Sequence, residues 1–253
     1  MKLQANIFKV FFGVLIVLLH IKLANSQNLK DALAAHQALT LGDLQLAEFY
    51  ATRALSDNDL IGSDRAAVFS YRGDAKRRMG NFEESVDDYS NAIEIGLPAA
   101  FMARVLNNRG LALFGMFQWE TAVRDFREAL VLDPDFIIAM DNLGTGLMAM
   151  GNMQEAINTF TEAMLADPSN ARVINNRGRA YMVLKFFEEA IQDFSTAIEL
   201  GNSNIATPLF NRGIAHESLG NREAARKDFE RALALRPNEL TYQDKFREYR
   251  LIP

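Results

Sequence analysis

The chain has no cysteine, only three histidines and a single tryptophan in 253 residues. Without a thiol there is no disulfide, no zinc ribbon, no cysteine nucleophile and no cysteine to carry a lipid. Histidine is almost as scarce: beyond residue 26 only His36 and His216 remain, far apart in sequence. A metal site or a Ser/His/Asp triad needs convergent titratable groups. None is visible, so no catalytic residue, metal ligand or cofactor is assigned. Carboxylate neighbours such as Glu83-Glu84, Asp87-Asp88 and Glu188-Glu189 read as solvated helix faces. A strong charge of one sign is also missing, with 27 basic against 32 acidic side chains and a net charge of -5. A mildly acidic chain is poorly suited to nucleic-acid phosphate, so no nucleic-acid partner is expected.

Long apolar runs are lacking except near the start. Lys2 and Lys9 flank a basic beginning, Val10 to Leu19 is apolar throughout, and Ala24-Asn25-Ser26 offers small residues at the spacing of a cleavage site. Residues 1–26 therefore read as a secretory signal peptide. The run falls short of the roughly 20 residues of a membrane span; the alternative is a retained anchor over residues 8–21. An exported chain with neither cysteine nor an Asn-x-Ser/Thr acceptor fits a bacterial periplasm.

What the chain does have is a period. Gly110, Gly144 and Gly178 lie 34 residues apart, as do Ala122, Ala156 and Ala190, and Phe126, Phe160 and Phe194. Three landmarks in one register mean stacked supersecondary units. We number positions 1 to 34 within a repeat, with the small residue of the first helix at 8 and that of the second at 20. Six repeats follow, at about 28–59, 66–97, 103–134, 137–168, 171–202 and 206–237. Gly or Ala at 8, 20 and 27 lets helices approach, and the aromatic at 24 fills the seam. Gly42, Gly80, Gly151 and Gly220 at 15 suit a left-handed helix end. Phe117 and Lys185 replace glycine there, so either those turns differ or they carry backbone strain. Residues 239–251 read as a closing helix whose Asp244, Lys245, Arg247, Glu248 and Arg250 face water.

This grammar resembles the tetratricopeptide repeat. The resemblance implies an all-α, right-handed superhelical solenoid of about six helix-turn-helix units with a C-terminal capping helix. It also implies a concave groove lined by first helices, with positions 2, 5, 6, 9, 12 and 13 tending to face it. Position 6 is Asn108, Asn142, Asn176 and Asn211 in four successive repeats. A row of amides can satisfy the N–H and C=O of an extended peptide together; the alternative is that Asn is merely habitual at this position. Arg104, Arg172 and Arg179 would stand beside the row, among apolar residues such as Phe114, Ile138, Met148, Met182 and Phe210. The family's carboxylate clamp needs Lys at position 5, where this chain has Ser70, Asn107, Asp141, Asn175 and Phe210. That departure argues against a co-chaperone.

One pair of positions moves together. Position 7 is Arg72, Arg109, Arg177 and Arg212, and position 23 of the same repeats is Asp88, Asp125, Asp193 and Asp228. Where Arg is missing, so is Asp. An ion pair joining the two helices of one repeat accounts for this, and so does copying by duplication. The expected function is a noncatalytic scaffold or adaptor that binds an extended protein or peptide segment in its groove, with no small-molecule substrate, in envelope protein assembly. The alternatives are a self-associating module that forms a homodimer and a membrane-anchored scaffold.

Overall fold

A computed structural model of the chain describes residues 27–56, 59–201 and 204–250. The predicted leader, residues 1–26, lies outside them. The described residues form thirteen helices and no strand. These are α1 (Gln27–Leu41), α2 (Leu44–Ala54), α3 (Gly62–Met79), α4 (Phe82–Ile95), α5 (Ala99–Gly115), α6 (Trp119–Leu132) and α7 (Ile137–Ala149). They continue with α8 (Met153–Ala166), α9 (Ala171–Val183), α10 (Phe187–Glu199), α11 (Ala206–Ser218), α12 (Arg222–Leu235) and α13 (Leu240–Arg250). Odd-numbered helices up to α11 are first helices of the repeats, even-numbered ones second helices. The chain falls into two compact blocks, one ending at Met116 and the other beginning at Phe117. Within each block, every helix packs on the next one in sequence.

The small residues do what their spacing predicts. In the first block Ala35, Ala47 and Ala54 are fully buried; in the second so are Ala156, Ala163, Ala190 and Ala225. Phe160, Phe194 and Phe229 are fully buried between the helices of their own repeats, each ring stabilising the seam by roughly 1.5–3 kcal/mol. The glycine at position 8 is needed because that ring lies flat against it. A Cβ on Gly144 would sit 2.5 Å from Phe160 Cε1, and one on Gly213 would sit 2.5 Å from Phe229 Cε1. In the second repeat Tyr89 replaces Phe, its ring 3.0 Å from where a Gly73 Cβ would stand.

The hairpin turns settle the question left open at position 15. Gly80 and Gly151 adopt φ of 89° and 83°, and Phe117 and Lys185 adopt the same left-handed conformation with φ of 61° and 64°. The turns are alike, so the two non-glycine residues carry the steric cost of about 1–2 kcal/mol that a Cβ meets there. Asp43 caps α2 by accepting from Leu46 N at 3.1 Å, and Asn170 caps α9 by accepting from Val173 N at 3.3 Å.

Helix α13 closes the second block against α12. Tyr242 is buried and stacks on Phe210 with ring centroids 4.4 Å apart. One expected water-facing residue turns inward: Lys245 lies 5.9 Å from the Phe229 ring centroid and its Nζ is 2.9 Å from Glu217 Oε2. Its long stem covers apolar surface while the ammonium keeps a carboxylate partner. Asp244, Arg247 and Glu248 are exposed, and the Arg250 side chain lies outside the described residues.

Candidate binding face

The asparagine row is tied into the fold. In the second block, Asn211 Nδ2 donates to Asn175 Oδ1 at 3.1 Å, and Asn175 Nδ2 donates to Asn176 Oδ1 at 3.4 Å. Asn176 Nδ2 then donates to Asp141 Oδ1 at 2.8 Å, and Arg172 Nε meets Asp141 Oδ2 at 2.9 Å. A polar line thus crosses three first helices, α11, α9 and α7. The first block repeats the motif. Asn107 donates to Asn108 at 3.1 Å, Asn108 donates to Asp74 at 2.9 Å, and the Tyr89 hydroxyl donates to the same Asp74 oxygen at 2.5 Å. That carboxylate and burial together push the Tyr89 hydroxyl pKa up, burial being the larger cause.

Position 5 departs from the expectation. Asn107, Asp141 and Asn175 are buried rather than presented on the face, because each serves as the anchor for a position-6 amide. The position-6 residues Asn108, Asn142, Asn176 and Asn211 are half-buried. An amide carries two donor hydrogens, so Asn176 and Asn211 each keep one N–H beyond the bonds described. Arg104 in the first block and Arg172 and Arg179 in the second are exposed. Arg179 Nη1 reaches Asn176 Oδ1 at 3.5 Å. Ile138 is exposed, whereas the Phe210 ring is taken up by Tyr242.

Three Arg/Asp pairs lie within single repeats of one block and are two-pronged. Arg72 Nε and Nη2 stand 2.9 and 2.6 Å from the Asp88 oxygens. For Arg177 and Asp193 the distances are 2.9 and 2.7 Å, and for Arg212 and Asp228 both are 2.8 Å. The members of the fourth pair, Arg109 and Asp125, belong to different blocks. Asp88 is therefore not on a solvated face: it is buried between Arg72 and Lys76, whose Nζ is 3.1 Å away. The aspartates hold the Arg177 and Arg212 guanidinium groups above their ordinary pKa through hydrogen bonds. Burial pushes the Asp193 carboxyl up, and the Arg177 hydrogen bonds pull it back.

The guanidinium has a further partner that the sequence reading missed. Nη1 donates to the hydroxyl at position 25 of the preceding repeat: Arg72 to Thr52 at 3.5 Å, Arg109 to Ser90 at 3.2 Å, Arg177 to Thr161 at 3.1 Å and Arg212 to Ser195 at 2.9 Å. The signal was available. Position 25 is Ser or Thr wherever the next repeat has Arg at 7, and it is Arg127 before the one following repeat that lacks it, with Leu143. Arg127 instead pairs with Glu155 of that next repeat at 2.5 Å. The first repeat, with Ala34 and Tyr50 at these positions, joins its helices differently: Arg53 Nε donates to buried Asp31 Oδ2 at 2.6 Å.

The two histidines of the described residues have different surroundings. His36 packs on Tyr71 with ring centroids 4.9 Å apart, while His216 has a buried Nδ1 with no hydrogen-bond partner. Burial holds the His216 pKa below its ordinary value. Among the described residues no group of three or more His, Cys, Asp or Glu side chains could hold a metal ion, and no helix is long and apolar enough to cross a membrane.

Comparison with known proteins agrees with this architecture. Family models described as tetratricopeptide repeat match residues 103–136, 139–172 and 169–238. No curated protein sequence matches the chain significantly. Among solved structures, the chain is similar to PilF of Pseudomonas aeruginosa, with 19% identity and a TM-score of 0.69 over 87% of this chain and 97% of that one. It is also similar to the Cut9-Hcn1 assembly of the APC/C, with 16% identity and a TM-score of 0.72 over 92% of this chain and 45% of that one. A third is YrrB, described as a TPR protein with an unusual peptide-binding site, with 20% identity and a TM-score of 0.57 over 69% of this chain and 86% of that one. At these identities the likeness concerns the fold. Matched by family models within residues 103–238, more than half of its length, and alike in fold to solved repeat proteins, the chain belongs to the tetratricopeptide repeat family, whose arrays are protein–protein interaction scaffolds.

Proposed function

We propose that the chain is a noncatalytic adaptor that binds an extended polypeptide on the first-helix face of its second block. The observation that carries this reading is Asn176. Its amide is fixed by Asp141 and Asn175, yet it stays half-buried between exposed Arg172 and Arg179. Preorganised amides lose little rotamer freedom on binding, and they satisfy a peptide backbone without reading its side chains. The flanking guanidinium groups favour acidic side chains in the bound segment. The peptide-binding site of YrrB, a protein of the same fold, supports the class of ligand.

The basic and apolar beginning of the chain supports export to a periplasm, with the envelope as the place of work. The test is capture of exported proteins by the chain, beside an Asn142→Ala, Asn176→Ala double variant shown to melt at the same temperature. Loss of one partner from the variant alone supports the reading; unchanged capture overturns it.

A further inference from the structure

Beside the amide row of the second block runs a second row, nearly one turn further along the same helices. Position 6 there is Asn142, Asn176 and Asn211; position 9 is Thr145, Arg179 and Ile214. Residues three apart on a helix are neighbours on its surface, so the second row flanks the first. Arg179 is exposed, and Thr145 and Ile214 are half-buried. The amides are alike from repeat to repeat, whereas position 9 offers in turn a hydroxyl, a guanidinium and an apolar side chain. The first row can hold any backbone; the second can tell one segment from another.

Helices α7, α9 and α11 carry four arginines and two carboxylates between them, and no lysine. Arg172 is held by Asp141, Arg177 by Asp193 and Arg212 by Asp228. The second carboxylate, Glu217, is taken by Lys245 of α13 at 2.9 Å. Arg179 is the guanidinium left over: among the described residues it meets no carboxylate, and its hydrogen bond is the 3.5 Å contact with Asn176 Oδ1. A guanidinium and the remaining N–H of Asn176 are donors, and two donors side by side suit a carboxylate.

We infer that Arg179 and Ile214 select the sequence of the bound segment: Arg179 takes a side-chain carboxylate and Ile214 an apolar side chain three residues away, the segment lying in polyproline II conformation. The inference rests on the polypeptide-binding reading above and names the class of segment that the face takes. Spacing decides the conformation. Packed helices stand about 8–10 Å apart, and three residues of polyproline II rise about 9.3 Å and return the side chain to the same side. A β-strand returns its side chains every second residue, at roughly 6.6 or 13 Å, and misses the next helix. One side chain of a polyproline II segment therefore meets each first helix. Its backbone makes no internal hydrogen bond, which leaves its N–H and C=O groups to the amide row. That row crosses the junction between Arg179 and Ile214 without a break, since Asn211 of α11 donates to Asn175 of α9 at 3.1 Å.

The test is selection by the full chain from random peptides of about 12 residues, enough for four turns of polyproline II. The peptides are displayed on phage through their C-termini, so no free terminal carboxylate competes. Those enriched should carry Asp or Glu with a large apolar residue three positions to one side, always in the same order. Arg179→Glu, at an exposed position, should melt like the native chain and enrich Lys or Arg in place of the acid, with the apolar residue kept. One enriched peptide, made as its C-terminal amide, supplies a second readout. Replacing its acidic residue by the corresponding amide should weaken binding to the native chain about tenfold and leave binding to Arg179→Met unchanged. Enrichment of an acid by Arg179→Glu as well, an equal loss with Arg179→Met, or acid and apolar residues at another spacing overturns the inference and leaves the adaptor reading standing. No enrichment by the native chain overturns both.

Discussion

Arg177 holds Asp193 with two nitrogens, at 2.9 and 2.7 Å, and gives its third to Thr161 of the preceding repeat at 3.1 Å. One side chain therefore joins three helices, and the Asp193 side chain is only 6% exposed. Removing the cation strands a buried carboxylate. Arg177→Met should cost about 3 kcal/mol in urea unfolding, and the double variant with Asp193→Leu should cost clearly less than the two singles together. A coupling below about 0.5 kcal/mol, the range of exposed pairs, would show that the pair is a relic of duplication.

Gly178 makes a prediction with an unusual sign. Gly→Ala inside a helix ordinarily stabilises by roughly 0.5–1 kcal/mol. Here the new methyl would lie 2.8 Å from Phe194 Cε1 and 3.2 Å from Asp193 Cβ. Gly178→Ala should therefore destabilise by about 1–3 kcal/mol. Adding Phe194→Leu, which withdraws the ring edge, should make the further cost of the alanine much smaller, as read from the urea midpoints.

The turn at Lys185 should respond in the opposite sense. With φ of 64°, the lysine carries left-handed strain that glycine avoids. Lys185→Gly should raise stability by about 1 kcal/mol, and Gly151→Ala, at φ of 83°, should lower it by a similar amount. Thermal midpoints of the two variants moving in the same direction would contradict this account.

His216 predicts an acid limb. Burial lowers its pKa, Arg212 adds to the lowering and Asp228 opposes it. A histidine whose folded pKa lies below its unfolded value contributes fully above about pH 6.5 and loses that contribution as pH falls through the folded value. His216→Gln should flatten the stability profile just below about pH 6.5. Asp31, held low by Arg53, acts in a separate window below about pH 4, so Asp31→Asn should leave the upper limb intact and flatten the lower one.

Much of the fold was legible because a 34-residue period fixes three landmarks at once: Gly144, Ala156 and Phe160 share one seam, and each is there for its size. The covarying Arg and Asp positions were legible as a pair, since both partners sit inside one repeat. The hydroxyl at position 25 escaped because its partner lies in the next repeat, where comparison within a repeat does not look. The binding face was less legible for another reason. Asn175 and Asn176 are adjacent and chemically identical in sequence, yet only the fold decides that the first is buried as an anchor and the second half-presented. The Arg53–Asp31 bond was invisible because only the first repeat uses it.

Arg127 and Leu143 stand where every other junction of the array puts a hydroxyl and an arginine. In a quasi-one-dimensional protein, stability is a sum over repeats and the joints between them, so the joints need not be equal. The one between α6 and the α7–α8 pair trades a shielded three-way lock for the Arg127–Glu155 bridge, whose side chains are 52% and 49% exposed. Exposed bridges weaken with salt far more than shielded ones do. Rising ionic strength therefore weakens the polar tie at this joint more than those at the other joints of its block.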